Sequence, residues 1–169
     1  ILADRRYGPN THCALVVWIE GAKHLLDPGY LLVDAMPFPK NDALVAPTSF
    51  HEVKLTPSDA GSKVQLETIL QDKSTYRLTY KTDPVDTAQF LSAWDDSFEF
   101  DMMNYPVLSR IVDGQQLYLQ KNKLLVRNRE QSQQTELDPA MMTKTIHKLF
   151  GLDPKVVAEA LRLIDPVEK

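Results

Sequence analysis

Two residues that could act together in catalysis, His12 and Asp27, lie on either side of a short turn sequence. Glu20-Gly21 separates two apolar segments, the arrangement typical of a β-hairpin. If these two residues form the turn, cross-strand partners have numbers that sum to 41, so Asp27 lies opposite Ala14. His12 is two residues from Ala14 and therefore on the same face of the sheet, within reach of Asp27. A three-residue loop would turn Asp27 to the other face, so the contact depends on the register.

A carboxylate beside an imidazole fixes its tautomer and favours its protonated form, which prepares a general base for catalysis. The alternative is that Asp27-Pro28 begins a helix, since Asp is a good N-cap and Pro suits the first helical position. Three of the four other Asp-Pro pairs, those at 83, 138 and 153, precede helical patterns. Gly29-Tyr30-Leu31-Leu32 has no helical apolar face, however, which sets Asp27 apart from the other three.

The chain offers no convincing nucleophile for such a pair. Cys13 is the only cysteine, and neighbouring residues on a strand point to opposite faces. Cys13 therefore points away from His12 and Asp27, and we expect it to be a small buried apolar residue. Ser49 and Ser109 carry hydroxyl groups without a supporting motif. We therefore expect this chain alone to show no activity that depends on such a nucleophile.

The elements around the pair predict an α+β fold with antiparallel sheets. Residues 12–19 form an apolar run of strand length that predicts a strand buried on both faces, and residues 33–48 predict a loop. Helices are predicted after Asp83-Pro84, Asp138-Pro139 and Asp153-Pro154, with Gly151 and Pro166 as stops for the last two. Further strands are predicted at 49–55, 63–70, 75–81, 106–112, 116–120 and 124–128.

Composition excludes several classes of protein. The chain has 169 residues, of which 43% are hydrophobic, and a formal net charge of −4. No apolar run approaches the roughly 18 residues of a membrane span, and a slightly acidic chain is a poor partner for nucleic acid. One cysteine provides neither an intrachain disulfide nor a cysteine-based zinc site. We therefore expect no nucleic-acid, membrane or metal partner, and a cytoplasmic location.

The hairpin resembles that of the arylamine N-acetyltransferases. Thr11-His12-x-x-Leu15-Val16-Val17, the Glu20-Gly21 turn and Leu25-Leu26-Asp27-Pro28-Gly29-Tyr30 follow that family's Thr-His-x-x-Leu-Leu-Val and Asp-Val-Gly-Phe-Gly pattern. Segments 88–98, 106–108, 114–129 and 149–152 are also similar to it, in the same order. The chain departs from the pattern in two places: Pro28 replaces a small apolar residue, and Tyr30-Leu31 replaces Phe-Gly. The second Gly is where the backbone would approach the acyl group or coenzyme.

The resemblance implies a fold and an activity. It implies an antiparallel β-barrel at 1–82, a linking helix at 83–104 and a small α/β lid at 105–169. An acetyl group would pass from acetyl-CoA, through a cysteine thioester, to an arylamine or hydrazine. His12 would be the base and Asp27 would orient it, with Gly29 and Tyr30 on the coenzyme side. Acetyl-CoA would be a co-substrate, with no tightly bound cofactor.

The family's cysteine lies upstream of the histidine, in a helical domain that we expect to be missing here and to be this chain's partner. Two alternatives remain open. One is a transglutaminase-like enzyme that forms or cleaves amides with the same three residues. The other is a non-catalytic binding module of the same fold. The basic residues Lys121, Lys123, Arg127 and Arg129 could meet a coenzyme phosphate, but such a cluster is more often a solvated hairpin face.

Overall fold

A computed structural model describes residues 1–6, 8–70 and 73–164 of the chain. It divides into two compact units, Ile1–Ser97 and Phe98–Lys169. The division falls within the 83–104 segment that the sequence predicts to be a link. The predicted domains at 1–82, 83–104 and 105–169 stay predictions.

The first unit consists of two antiparallel sheets and one helix. A six-stranded sheet has the order β2-β1-β9-β8-β7-β6, and a three-stranded sheet has the order β3-β4-β5. The elements are β1 (Leu2–Arg5), β2 (Gly8–Cys13), β3 (Leu15–Ile19), β4 (Ala22–Asp27), β5 (Leu32–Pro37), β6 (Leu44–Pro47), β7 (Glu52–Ser58), β8 (Lys63–Leu70), β9 (Lys73–Lys81) and α1 (Thr87–Ser97).

Both sheets of this unit contribute to one apolar core. In the six-stranded sheet, alternate residues of β7, β8 and β9 are buried, among them Leu55, Leu66 and Leu78, because side chains alternate between the faces of a strand. From the three-stranded sheet, Leu25 and Leu32 join the same cluster. The core therefore lies between the sheets, and a polar group from either sheet that points inward is removed from water.

Three features of the first unit differ from the predictions. The 12–19 run is not one strand, because it breaks at Ala14 and its halves belong to different sheets. It is not buried on both faces either, since Leu15 and Trp18 are largely exposed. The 33–48 segment holds most of β5 and the whole of β6 instead of a loop. Helix α1 is capped by Asp86, whose Oδ1 accepts a hydrogen bond from the Gln89 amide at 2.8 Å, and not by Asp83.

The second unit is a four-stranded antiparallel meander with two helices. Its elements are β10 (Val107–Val112), β11 (Gln115–Gln120), β12 (Lys123–Arg127), β13 (Ser132–Glu136), α2 (Met142–Phe150) and α3 (Pro154–Ile164). The helices bury Met142, Ile146 and Val157 against Leu119 and Leu124 of the sheet. The unit thus has its own core.

The predicted helix signals of this unit are confirmed where the structure describes them. The Asp138 carboxylate accepts a hydrogen bond from the Ala140 amide at 2.9 Å and so caps the 3₁₀ turn Pro139–Met141, which leads into α2. Asp153 accepts a hydrogen bond from the Lys155 amide at 2.7 Å at the start of α3. Gly151 ends α2 in the left-handed conformation, which glycine adopts at little cost. Pro166, the predicted stop of α3, lies outside the described residues.

The observed class is the predicted one, α+β with antiparallel sheets. In the described residues the six-stranded sheet has β2 and β6 at its two edges, so the closed barrel stays a prediction. None of the described helices is long and apolar enough to cross a membrane.

Candidate active site

The turn at Glu20 and Gly21 sets the position of Asp27. The two turn residues have positive φ, 49° at Glu20 and 77° at Gly21, as the favoured two-residue hairpin turns require. The β3–β4 partners run from Ile19 opposite Ala22 to Leu15 opposite Leu26, which is the register that the sequence predicts. Asp27 therefore ends β4 one residue beyond the last β3–β4 pair. It has no partner on β3, because β3 begins at Leu15 and β2, which precedes it, belongs to the six-stranded sheet.

The two predicted side chains meet between the sheets. His12 lies on β2 of the six-stranded sheet and Asp27 on β4 of the three-stranded sheet. The His12 Nε2 and Asp27 Oδ2 atoms are 2.7 Å apart. The predicted hairpin has both residues on one face of one sheet. In the structure the chain changes sheets at Ala14, so the two residues lie on different sheets and their side chains meet between them. The contact is thus tertiary.

Asp27 is almost completely buried and has two hydrogen-bond donors. Its exposed fraction is 1%, so its carboxylate requires compensation for lost hydration. The same Oδ2 atom that contacts His12 accepts a hydrogen bond from the Tyr80 hydroxyl at 2.6 Å. Charge-assisted hydrogen bonds of this length are among the stronger ones in proteins. Asp27 is therefore held from two sides, and it holds His12 in turn.

A row of three residues across the six-stranded sheet explains how both donors reach one oxygen. His12 pairs with Ala3 on β1, and Ala3 pairs with Tyr80 on β9. Residues directly opposite each other share a face of the sheet, so the three side chains point the same way. Ala3 is fully buried, and its small side chain leaves room above β1 for the two larger ones to converge.

Tyr80 is a site residue that the sequence reasoning missed. Burial raises its pKa, and the negative charge of Asp27 raises it further, because both disfavour a phenolate. The hydroxyl therefore stays a hydrogen-bond donor to Asp27. The alternation of 75–81 places Tyr80 on a strand, but no local signal connects it to a residue 53 positions away.

The turn after Asp27 packs directly against the pair. Pro28–Tyr30 form one turn of 3₁₀ helix, and a Cβ atom on Gly29 would lie 2.9 Å from His12 Cε1 and 3.2 Å from Asp27 Oδ1. Any larger side chain there would displace the imidazole. The ring of Tyr30 lies edge-to-face with that of His12, with centroids 5.2 Å apart. Gly29 and Tyr30 thus form one wall of the site.

Leu31 has an unusual backbone conformation. Its φ is 63°, in the left-handed region that glycine favours, and its side chain is buried, with 4% exposed. The family pattern has Gly at this position. The positive φ at this position is by itself a reason for Gly, so the preference does not require that the backbone approach the coenzyme closely. Here the buried side chain offsets the strain.

Arg5 is a second site residue that the sequence reasoning did not identify. Its Nη2 group donates a hydrogen bond to His12 Nδ1 at 2.9 Å. Because a guanidinium has donors and no acceptor, Nδ1 must carry a lone pair. The ring proton is therefore on Nε2, where it is donated to Asp27. In this arrangement His12 is the neutral Nε2–H tautomer.

The Arg5 guanidinium is only partly satisfied. Its Cζ lies 5.5 Å from the centre of the Tyr30 ring, a favourable cation–π distance. Its Nε atom, however, is buried and has no hydrogen-bond partner among the residues that the structure describes. A buried donor without a partner costs about 1–3 kcal/mol. Arg5 therefore occupies this position at some energetic cost.

The other candidate residues make none of the contacts described for this site. Cys13 is exposed, so the prediction of a buried cysteine was wrong. Ser109 belongs to the second unit and accepts a hydrogen bond from Gln116 Nε2 at 3.0 Å, while His147 bonds to the Leu152 carbonyl at 2.8 Å. Across the described part of the chain, no three His, Cys, Asp or Glu side chains are grouped so that they could hold a metal ion.

Comparison with known proteins identifies the family. A model of the family described as N-acetyltransferase matches residues 2–158, which is most of the chain. No curated protein matches the sequence. The family match rests on the whole succession of segments, from β1 into α3.

Several solved structures with the same fold are arylamine N-acetyltransferases. The Mycobacterium marinum enzyme in complex with CoA has 20% identity and a TM-score of 0.80, covering 98% of this chain and 68% of that one. A variant of the Mycobacterium smegmatis enzyme has 19% identity and a TM-score of 0.76, covering 90% of this chain and 58% of that one. The Salmonella typhimurium enzyme has 15% identity and a TM-score of 0.73, covering 96% of this chain and 66% of that one. The chain thus spans about three fifths to two thirds of the length of these enzymes, and with the family match it belongs to the arylamine N-acetyltransferase family.

Proposed function

We propose that this chain supplies the base and the orienting carboxylate of an enzyme that moves an acetyl group from acetyl-CoA, through a cysteine thioester, to an arylamine or hydrazine. The observation that carries the proposal is the buried Asp27 carboxylate, which receives hydrogen bonds from both His12 and Tyr80. The family match supports acetyl transfer over transglutaminase-like amide chemistry.

His12 moves the protons in this scheme. Its Nδ1 takes the proton of a cysteine thiol, and the thiolate attacks the carbonyl carbon of the acetyl thioester. The bond between that carbon and the coenzyme sulfur breaks, and the leaving thiolate takes the proton from the imidazolium. In the second half, the amine nitrogen attacks the carbonyl carbon of the enzyme thioester and gives its proton to His12. The bond between that carbon and the cysteine sulfur breaks, and the cysteine thiolate takes the proton back from the imidazolium.

Asp27 and Tyr80 prepare His12 for these steps. Asp27 holds the Nε2–H group, which leaves Nδ1 as the basic nitrogen and stabilises the imidazolium when it forms. Tyr80 anchors Asp27 and remains protonated, because burial raises its pKa. Gly29 and Tyr30, which pack against His12, border the space in which we place the acetyl group and the coenzyme thiol.

We place the nucleophilic thiol outside residues 1–169. Cys13 is exposed and follows His12 on the same strand, whereas the His12 side chain is only 12% exposed. We further propose that the two sheets of the first unit wrap their common core as a barrel, with segment 83–104 as a link and 105–169 as a lid. The chain by itself would then be inactive, and a helical domain carrying the thiol would be its partner.

The test is the rate of acyl-enzyme formation in a protein that contains this chain together with the thiol. His12→Ala and Asp27→Asn should each lower that rate by orders of magnitude, because the base is removed or its tautomer is no longer enforced. The burst of free CoA on mixing with acetyl-CoA measures this step directly. Cys13→Ala is the matched control and should leave the burst unchanged.

Two results would refute the proposal. One is turnover of an arylamine by residues 1–169 alone that disappears in Cys13→Ala, since Cys13 would then be the nucleophile. The other is an unchanged burst in Asp27→Asn with the fold intact. A protein that contains the thiol but never forms an acyl-enzyme would favour the non-catalytic binding module instead.

A further inference from the structure

We infer that Arg5 is a removable cap on His12, occupying the nitrogen that the thiol must reach and fixing the tautomer until it is displaced. This inference rests on the proposed function, because a cap has meaning only if Nδ1 acts as a base. It begins from one contact, the 2.9 Å hydrogen bond between Arg5 Nη2 and His12 Nδ1.

Both ring nitrogens of His12 are engaged in this state. Nε2 contacts the Asp27 carboxylate, and Nδ1 contacts Arg5. Since a guanidinium cannot accept a hydrogen bond, its position is compatible only with an unprotonated Nδ1. A thiol needs the same lone pair to give up its proton. Arg5 and a reacting thiol therefore exclude each other.

The two contacts differ in how firmly they are held. Asp27 is almost fully buried and receives a second donor from Tyr80, so it has no better alternative partner. Arg5 is only half-buried, and its Nε lacks a hydrogen-bond partner in the described part of the chain. A side chain that leaves a donor unsatisfied gains hydrogen bonds by moving into water. The cap is thus the contact that opens, and the Asp27 contact is the one that stays.

The backbone of β1 brings Arg5 to this position. The β1–β2 ladder shifts register between Ala3 and Arg5, and such a bulge re-aims the side chain that follows it. The groups around the His12 ring are then Arg5 from β1, Asp27 from β4, with Tyr80 of β9 behind it, and Tyr30 from the turn after β4. Arg5 is the cation in this set, so its departure changes the charge that the ring meets on the Nδ1 side.

The experiment measures how freely the ring nitrogen reacts. Diethyl pyrocarbonate is attacked by the lone pair of a neutral imidazole, and peptide mass spectrometry follows each histidine separately. His12 should react slowly in the wild-type chain and roughly tenfold or more faster in Arg5→Met, the factor that a charge-assisted hydrogen bond to the ring corresponds to. Arg5→Lys, which keeps a charged donor, should fall between the two.

The chain offers matched controls. Arg6 is the neighbouring arginine, exposed and 6.0 Å from the Tyr76 ring, so Arg6→Met should leave the His12 rate at the wild-type value. His147 is exposed in the second unit and gives the reference rate in every digest. Nitrogen-15 chemical shifts of the His12 ring give an independent readout, with the wild-type proton on Nε2 and a bare Nδ1.

Equal His12 rates in the wild-type chain and Arg5→Met, or a protonated Nδ1 in the wild type, would overturn the cap. If Arg5→Met disturbs the fold, the wild-type nitrogen shifts can still overturn the cap, because a protonated Nδ1 is incompatible with the hydrogen bond from Arg5, and the intermediate His12 rate expected in Arg5→Lys supplies the supporting result. Neither result depends on acyl transfer. If Arg5→Met exposes His12 but the thiol-bearing protein forms no acyl-enzyme, the proposed function is refuted and the Arg5 contact stands. If the acyl-enzyme forms but Arg5→Met leaves the His12 rate unchanged, the cap is refuted and the proposed function stands.

Discussion

Replacing Tyr80 by Phe tests how the buried carboxylate is stabilised. The substitution removes one hydroxyl, keeps the ring in a fully buried position, and leaves Asp27 with His12 as its remaining side-chain donor. A hydrogen bond to a charged group contributes about 1.5–3 kcal/mol. We therefore expect Tyr80→Phe to lower the free energy of unfolding of the first unit by that amount at pH 7.

The pH dependence makes the test specific. Burial and the Asp27 charge raise the Tyr80 pKa, so in strong base the folded state keeps a proton that the unfolded state loses. The contribution of the Tyr80 hydroxyl to the free energy of unfolding is constant below about pH 10, the pKa of a tyrosine in the unfolded chain. Above that pH the contribution falls by about 1.4 kcal/mol per pH unit. At pH 11 the gap between the wild type and Tyr80→Phe should therefore narrow by about 1.4 kcal/mol.

Urea unfolding followed by tryptophan fluorescence measures both quantities. Both tryptophans of the chain, Trp18 and Trp94, lie in the first unit, so the signal reports that unit. Tyr76→Phe is the matched control on the same strand, since in the described part of the chain the Tyr76 hydroxyl bonds to the neutral Thr79 hydroxyl at 2.9 Å. The loss of a neutral hydrogen bond should cost about 0.5–1.5 kcal/mol. A gap that stays constant from pH 8 to pH 11 would refute the account of Tyr80.

Three further substitutions test the packing around the pair. Gly29→Ala should lengthen the His12–Asp27 contact, because its Cβ would lie 2.9 Å from the imidazole; a crystal structure of the variant, or altered His12 ring nitrogen shifts, would check this. Leu31→Gly should relieve strain of about 1–2 kcal/mol but lose a buried side chain, for which Leu→Ala costs about 2–5 kcal/mol. A net destabilisation is therefore expected, and a more stable variant in urea would contradict it. Ala3→Leu should cost about 1–3 kcal/mol through overpacking and weaken the same contact, again read from unfolding and from the ring shifts.

The sequence by itself determined the local elements and the hairpin register. Asp138 caps the 3₁₀ turn that leads into α2, Asp153 caps α3, and Gly151 ends α2, because such signals act within a few residues. Glu20-Gly21 fixed the β3–β4 register for the same reason, since a two-residue turn leaves the strands one way to pair. Strand β8 also follows its alternation, because one face of it is buried. The motif that resembles the family could be read because it lies within one hairpin.

Only the tertiary structure decided what surrounds His12. The apolar run at 12–19 has the composition of one strand, but its two halves join different sheets, a choice that depends on partners distant in sequence. Tyr80 reaches Asp27 from 53 positions away because Ala3 sits between it and His12 in the sheet. Arg5 reaches the other ring nitrogen because β1 shifts its register next to it. Turns and caps are fixed by neighbours along the chain, whereas a buried charge is satisfied by whichever donors the packed sheets bring to it.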